Sequence, residues 1–576
     1  MRMVTLPGFH ELFVGHEKDY NEFVKDMPSE IVISVLIMLN NELNAPLPET
    51  ENQKRLRNIV SFRFTKDQLA LLNTAFESYR KSTGGHYQDY VFGRRYLISM
   101  ILKELNNYRS FELTDTSPQQ EFNFLMAYLL TVEEINNKDH QLLAEAKEKA
   151  NEPLGVYRMI WTPNFNQYDF NERTDPGFQF FKLLCFVRFS LLEYRSYVKE
   201  YINSLGFKSY GQLLHSIHVV TMTTLDYRKE EVFSKLNYIN PLEGVDETHL
   251  KAQTINGQIG SKEFFLNDIR KAPLFYNHNH KYMVIDEDLY NKKTYKGPFF
   301  ELYYATSLKD KISFNQYSNE VSLRVLEQVL FRGILSGLQN TKYDCIHFDD
   351  NSDTSPDCYY RMNKTIFLNE FKAYLFPDEL SSNPDFDKIK EYIDKRFVKN
   401  EKGKAKGITQ LINQIARLYN NQIEFDKKFR EELFEKTITI YPIICHNEFN
   451  FSMPGINEYL NDLFIKEIAP EIRKRFIIKP LTLINLDILY DFMLRGGNFK
   501  QLEIFTERYH RIIENRKKQM DKKPNADNFL RAKCSFDEIY NSVFFTELKN
   551  IPKTTDVTKR LFDLIGVKQE ELDEVI

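Results

Sequence analysis

Only five cysteines occur in 576 residues, at Cys185, Cys345, Cys358, Cys445 and Cys534, and no two form a CxxC pair. That scarcity and spacing argue against a zinc ribbon or a disulfide framework and fit a reducing, cytoplasmic setting. Long apolar runs are missing too. The richest, FKLLCFVRFSLL from Phe181, is broken by Lys182 and Arg188, and the amino-terminal MRMVTLPGFHEL has no apolar core, so neither a membrane span nor a signal peptide is expected. There is no GxxxxGK[ST] loop, no GxSxG elbow and no HExxH pair, which removes the sequence grounds for P-loop nucleotide hydrolysis, hydrolase-type acyl transfer and zincin chemistry. Nor is there an excess of positive charge. The formal net charge is -4, so any nucleic-acid binding has to come from local basic patches.

What is present is the composition of a folded protein: 42% hydrophobic and 27% charged residues, with 33 Tyr and 47 Phe. The length suits roughly three to four domains. Over residues 1–260 the apolar positions recur at three- and four-residue spacings, as in IVISVLIMLNNEL and FNFLMAYLLTVEEINN, which predicts an α-helical domain or two packed helical subdomains, with no fixed repeat. From about Gly257 the texture changes. APLFYNHNHKYMVIDEDLY and KGPFFELYYATS carry short aromatic and β-branched runs broken by Asn, Asp, Gly and Pro, and predict strands. A helix over NEVSLRVLEQVLFRGILSGLQ, a strand at KYDCIHF, helices over PDFDKIKEYIDKRF and GITQLINQIARLYNN, two strands at KTITIYPIICH and RFIIKPLTLI and a helix ended by Gly496 and Gly497 complete an α/β pattern. The segment after Lys500 reads as helical again, and RYHRIIENRKKQMDKKP within it reads as a solvated face before a phosphate-contacting patch.

The chemistry concentrates in SPDCYYRMNKTIFLNEFKAY, residues 355–374. CYYRM and TIFLNEF flank Asn363-Lys364, a two-residue connection suited to a type I′ hairpin turn. Cross-strand partners in such a hairpin have position numbers that sum to a constant, which here sets Asp357 opposite Glu370. Side chains alternate along a strand, so Lys372 shares the face of Glu370. Two facing carboxylates repel unless a cation lies between them, and a hard divalent ion such as Mg²⁺ or Mn²⁺ suits oxygen ligands, leaving the lysine to orient a water or to stabilise charge on a phosphate.

Pro356-Asp357 followed after a twelve-residue gap by Glu370-Phe371-Lys372 resembles the signature of the PD-(D/E)XK nuclease superfamily, over about residues 265–500. The resemblance implies an α/β nuclease-like domain, a mixed sheet flanked by helices, within residues 261–500. It would follow the large all-α region 1–260, acting in recognition or regulation, and precede a helical extension over 501–576. It further implies a Glu on the preceding helix, best matched by Glu327 with Glu320 as fallback, as an aid to metal or water. On the following helix it implies a Gln or Lys, matched by Gln410 first and Gln414 second, behind the basic run Lys399, Lys402, Lys404 and Lys406. The expected activity is Mg²⁺- or Mn²⁺-dependent hydrolysis of DNA, with RNA left open, in a restriction or anti-phage defence role that would involve a regulatory or sensor protein. Asp357, Glu370 and Glu327 would hold the metal, while Lys372 and Gln410 position the attacking water or the phosphate. The alternative is a catalytically silent helical protein whose nuclease-like domain binds nucleic acid or a partner.

Weaker features read as structural. His278 and His280 in YNHNHKY suit a polar turn better than a metal site, and His215 and His218 in LLHSIHVV suit half-buried positions on a helix. The aromatics of PFFELYY suit a core better than base stacking.

Overall fold

The fold was analysed in a computed structural model that describes residues 6–548 apart from 16, 44–47, 84–89, 111–114, 153, 228–237, 240–246, 342–343, 350–354, 383 and 524–525. Helices dominate the first half, as the apolar spacing predicts. Ser117 caps the helix Pro118–Glu148 by accepting from Gln120 N, with Pro118 in the first turn and the Gln120 side chain returning to the Ser117 N–H. That helix packs with Ser29–Glu42 and Arg94–Asn106 around Ile33, Leu36, Leu97, Ile101 and Tyr128. The same core takes Phe275 and Met283 from a small antiparallel sheet of β1 (Tyr238–Ile239), β2 (Leu274–Tyr276) and β3 (Tyr282–Val284), in the order β1-β3-β2. Arg94 clamps Asp286, just past β3, through two hydrogen bonds of 2.6 and 2.5 Å.

The second sheet is mixed. It holds β4 (Cys345–Phe348), β5 (Cys358–Met362), β6 (Thr365–Lys372), β7 (Thr439–His446), β8 (Ile477–Ile478) and β9 (Thr482–Asn485). β4, β5 and β6 pair antiparallel with one another, whereas β7 is parallel to β6 and is flanked on its other side by β8 and β9. The parallel step from β6 to β7 is made through the helices Phe386–Phe397 and Gly407–Tyr419. These cover the face bearing Ile366, Leu368 and Ile444, together with Trp161. The opposite face, with Phe367, Phe371, Tyr441 and Cys445, lies under the helix spanning 314–337, the helices Pro176–Glu193 and Leu486–Leu494, and the helix Phe499–Lys522.

Three local expectations are corrected. KGPFFELYY is not a strand but part of the helix Glu287–Tyr304, because Tyr295, Phe299, Leu302 and Tyr303 recur at helical spacing and bury one face against Phe186 and Tyr317. RFIIKPLTLI forms two short strands rather than one, separated by Lys479-Pro480-Leu481. The 363–364 turn is not type I′: only Asn363 takes a left-handed φ, +53°, whereas that turn requires it at both residues. The aromatics of PFFELYY do serve mostly as core, and all five cysteines are free. Among the described residues no helix is long and apolar enough to cross a membrane.

Candidate active site

The β5–β6 register runs from Met362 opposite Thr365 to Cys358 opposite Asn369, so the next step along the ladder brings Asp357 to Glu370. Asp357 Oδ2 accepts a hydrogen bond from Phe371 N at 2.6 Å, which anchors the carboxylate to the neighbouring strand. Lys372 Nζ donates to Glu370 Oε2 at 2.8 Å and to the Phe371 carbonyl at 3.0 Å, and stands 3.5 Å from Asp357 Oδ2. Three hard oxygens from two strands thus converge on one cation. The cluster is no surface hairpin patch, since Glu370 is 1% exposed and Lys372 6%.

Burial gives these groups unusual protonation. Loss of water and the nearby Asp357 push the Glu370 carboxyl up to about 8, against the pull of Lys372. Burial disfavours the Lys372 ammonium, yet Glu370 and Asp357 together hold its pKa well above the ordinary lysine range. Glu327 is pushed up to about 7, by burial first and then by Asp357, with Lys372 and Arg332 opposing. It belongs to the same electrostatic cluster and sits in a π-helical run, Ser322–Phe331, inside the 314–337 helix. That helix meets the sheet where Phe331 stacks on Phe371, 5.0 Å between ring centroids. Glu320 is taken up elsewhere, accepting the Tyr194 hydroxyl.

Gln410 and Gln414 stand one turn apart on the helix that covers the Glu370 and Lys372 face, each with a buried amide oxygen lacking a hydrogen-bond partner. No hydrogen bond joins either to the cluster. Lys399, Lys402 and Lys404 are exposed in the turn before that helix, and Lys406 is half-buried at its start. The polar turn expected at His278 and His280 is present: His278 lies in it, 2.7 Å from Glu30, and His280 follows with a φ of +56°. His215 and His218 are exposed rather than half-buried, because the apolar stripe of their helix is carried by Leu213, Leu214 and Ile217.

Among the described residues no three His, Cys, Asp or Glu side chains are gathered closely enough to hold a metal ion by themselves. Asp357 and Glu370 come together at Lys372, while Glu327, expected to assist with metal or water, shares their electrostatics from the neighbouring helix with no hydrogen bond or ion pair to either. The donor set that does converge is two carboxylates and a backbone carbonyl, which fits an ion such as Mg²⁺ that completes its shell with water. No family model, curated protein or solved structure matches this chain. Function has to be argued from the site itself.

Three neighbours escaped the sequence reading. Tyr374, two residues beyond Lys372, feels the charges of Lys372, Arg396, Asp357 and Glu370. Arg396 lies over the rings of Tyr374 and Tyr392, 4.7 and 5.1 Å from their centroids, with a buried Nε lacking a hydrogen-bond partner and no ion pair to a carboxylate among the described residues. His446 pairs in register with Lys372, is fully buried, and is driven down to about 3 by burial against the opposing influence of the Glu448 backbone, so it stays neutral. The alternation that placed Lys372 also reaches Tyr374. Arg396 and His446 come from helix and strand packing that no local pattern encodes.

Proposed function

We propose that the chain is a metal-dependent phosphodiesterase acting on nucleic acid, DNA first, with a PD-(D/E)XK-like arrangement of its mixed sheet. The observation that carries this reading is the convergence of Asp357, Glu370 and the Phe371 carbonyl on the Lys372 ammonium. Oxygens that gather a buried ammonium also suit a divalent cation, and Asp357, Glu370 and the Phe371 carbonyl would hold it. Bound there, Mg²⁺ or Mn²⁺ would supply Lewis-acid polarisation of a phosphate oxygen. Lys372 stays an ammonium throughout the neutral range and would stabilise the charge that develops on the phosphate oxygens during hydrolysis. Glu327, raised to about 7, is poised to take a proton from water near neutral pH. Arg396, lacking a carboxylate partner and braced by two aromatic rings, is suited to hold a phosphate bidentately. A defence role and a sensor partner remain part of this proposal through the sequence resemblance alone.

A second reading has its own support. Lys372 already satisfies both carboxylates, so the cluster can serve as a buried ionic lock in a protein that binds nucleic acid without cutting it. Incubation of purified protein with supercoiled plasmid and single-stranded DNA in Mg²⁺, Mn²⁺ or EDTA, beside a Glu370→Ala/Lys372→Ala variant, separates the two. The nuclease reading expects cutting that needs metal and disappears in the variant, and Mn²⁺ binding that weakens with it. Equal inertness of both proteins with equal DNA binding favours the lock.

A further inference from the structure

A cavity of about 800 Å³ opens beyond the carboxyl-terminal ends of β6 and β7 without including Asp357, Glu370 or Lys372. Its walls are the helix Glu287–Tyr304, the end of the helix Leu266–Lys271, the segment that follows β6 from Leu375 to Ser381, and Glu448 and Asn450 beyond β7. Volumes of ~300–1,000 Å³ are those of pockets for small organic ligands.

The lining combines two features. One is cationic: Lys292, Lys293 and Lys296 leave one stretch of a single helix, facing Arg270 and Lys271. Like charges at such spacing destabilise a helix unless something offsets them. The chain offsets them unevenly. Lys296 is tied to the buried Glu448 at 2.5 Å and Arg270 to Asp378 at 3.0 Å, whereas Lys293 donates to the Lys271 carbonyl at 2.5 Å and has its nearest carboxylate, Glu301, only at 3.6 Å. Gly297 keeps room for the Lys293 stem, since a Cβ there would stand 3.0 Å from Lys293 Cγ. Burial lowers the pKa of both Lys293 and Lys296 against the pull of Glu301 and Glu448, so an anion entering the cavity would add to the negative charge that holds their protons.

The other feature is aromatic. Phe300 and Tyr304, one turn apart on the same helix, lie with ring planes 19° apart and centroids 6.5 Å apart, and Tyr304 is 54% exposed at the cavity wall. A flat aromatic group entering the cavity finds a ring to lie on, with ammonium groups one to three turns earlier along the helix.

We propose that this cavity binds a nucleoside phosphate, Lys293 and Lys296 meeting the phosphate and Phe300 and Tyr304 the base, whether the ligand is a free nucleotide or the phosphorylated end of a nucleic-acid strand. Simple anions use the lysines alone and bind more weakly.

The test is equilibrium binding of ATP, a 5′-phosphorylated thymidine dinucleotide, adenosine and inorganic phosphate to the full chain. It is run in the Glu370→Ala/Lys372→Ala background so that no probe is cleaved. ATP or the dinucleotide is expected to bind at least ~10-fold more tightly than adenosine or phosphate. The tighter of the two identifies the source. Lys293→Gln, which keeps most of the stem and a hydrogen-bond donor, and Tyr304→Ala, at a side chain 54% exposed, are each expected to lower that affinity ~10-fold at unchanged melting temperature. Absence of binding by both nucleotides at ~1 mM overturns the proposal, as does affinity unchanged in both variants. The outcome is independent of the nuclease reading, which is judged by metal-dependent cleavage and by Mn²⁺ and DNA binding at the Glu370 and Lys372 cluster.

Discussion

Lys372 makes the most demanding set of contacts in the sheet, since one ammonium answers two carboxylates and a carbonyl in a place closed to water. Its replacement by Met keeps the stem and removes the charge. In the phosphodiesterase reading this lowers kcat by at least ~100-fold with little change in DNA affinity, as expected for a group that acts mainly on the transition state. Arg396 should behave differently. Arg396→Ala is expected to raise KM more than it lowers kcat, and Arg396→Lys to restore little, because a point charge reproduces neither the planar fork nor the stacking on Tyr374 and Tyr392. Steady-state cleavage kinetics on one DNA substrate checks both. At this scale the sequence was legible where the chemistry is local: a constant register sum put Asp357 beside Glu370, and alternation put Lys372 with them. It was not legible for Arg396, whose contacts depend on how the helix Phe386–Phe397 settles over the strand end, or for Gln410, which shares the right face without a bond to the cluster.

Elements were readable when period and capping agreed. The β5–β6 hairpin formed in its expected register even though its turn did not, because the alternating burial of Ile366, Leu368, Phe367 and Phe371 between two cores fixes the pairing more strongly than the turn does. Only Asn363 is left-handed, so Asn363→Ala should cost about 1 kcal/mol while Lys364→Gly brings no gain; a type I′ turn would have made Lys364→Gly stabilising. Chemical denaturation of the two variants decides between the turns. KGPFFELYY misled because aromatic runs next to Gly and Pro suit strands by propensity, whereas tertiary packing of Tyr295, Phe299 and Tyr303 on one helical face prevails in the chain. The π-helical run around Glu327 had no signal in a pattern that fits an ordinary amphipathic helix.

For the molecule as a whole, the mixed α/β architecture was visible in the alternation of patterns, but the cores cut across the segments suggested by it. The core on the Phe371 face draws residues from 178–217 and from 534–548 onto one sheet, a long-range arrangement that local periodicity cannot express. Such burial also traps titratable groups of opposite kinds, and this sets how stability depends on pH. His510, bonded to Thr482 at 2.8 Å, is lowered to about 4 by burial first and then by Lys517 and Lys479. Between that value and about 6.5 the unfolded chain binds a proton that the folded chain refuses, so this histidine removes stability as pH falls, by about 1.4 kcal/mol per pH unit. Asp537, which accepts from Ser452 and from Asn485 N, is raised to about 7, chiefly by burial. Between about 4 and 7 the folded chain keeps a proton that the unfolded chain has lost, so Asp537 removes stability as pH rises. The two effects oppose each other over nearly the same window. Relative to wild type, His510→Gln should therefore gain melting temperature as pH is lowered from 7 to 5, and Asp537→Asn as it is raised over the same range. Thermal unfolding of both variants across that range measures the two slopes separately, and slopes of the same sign would show that one of these side chains is not buried in the charge state assigned to it.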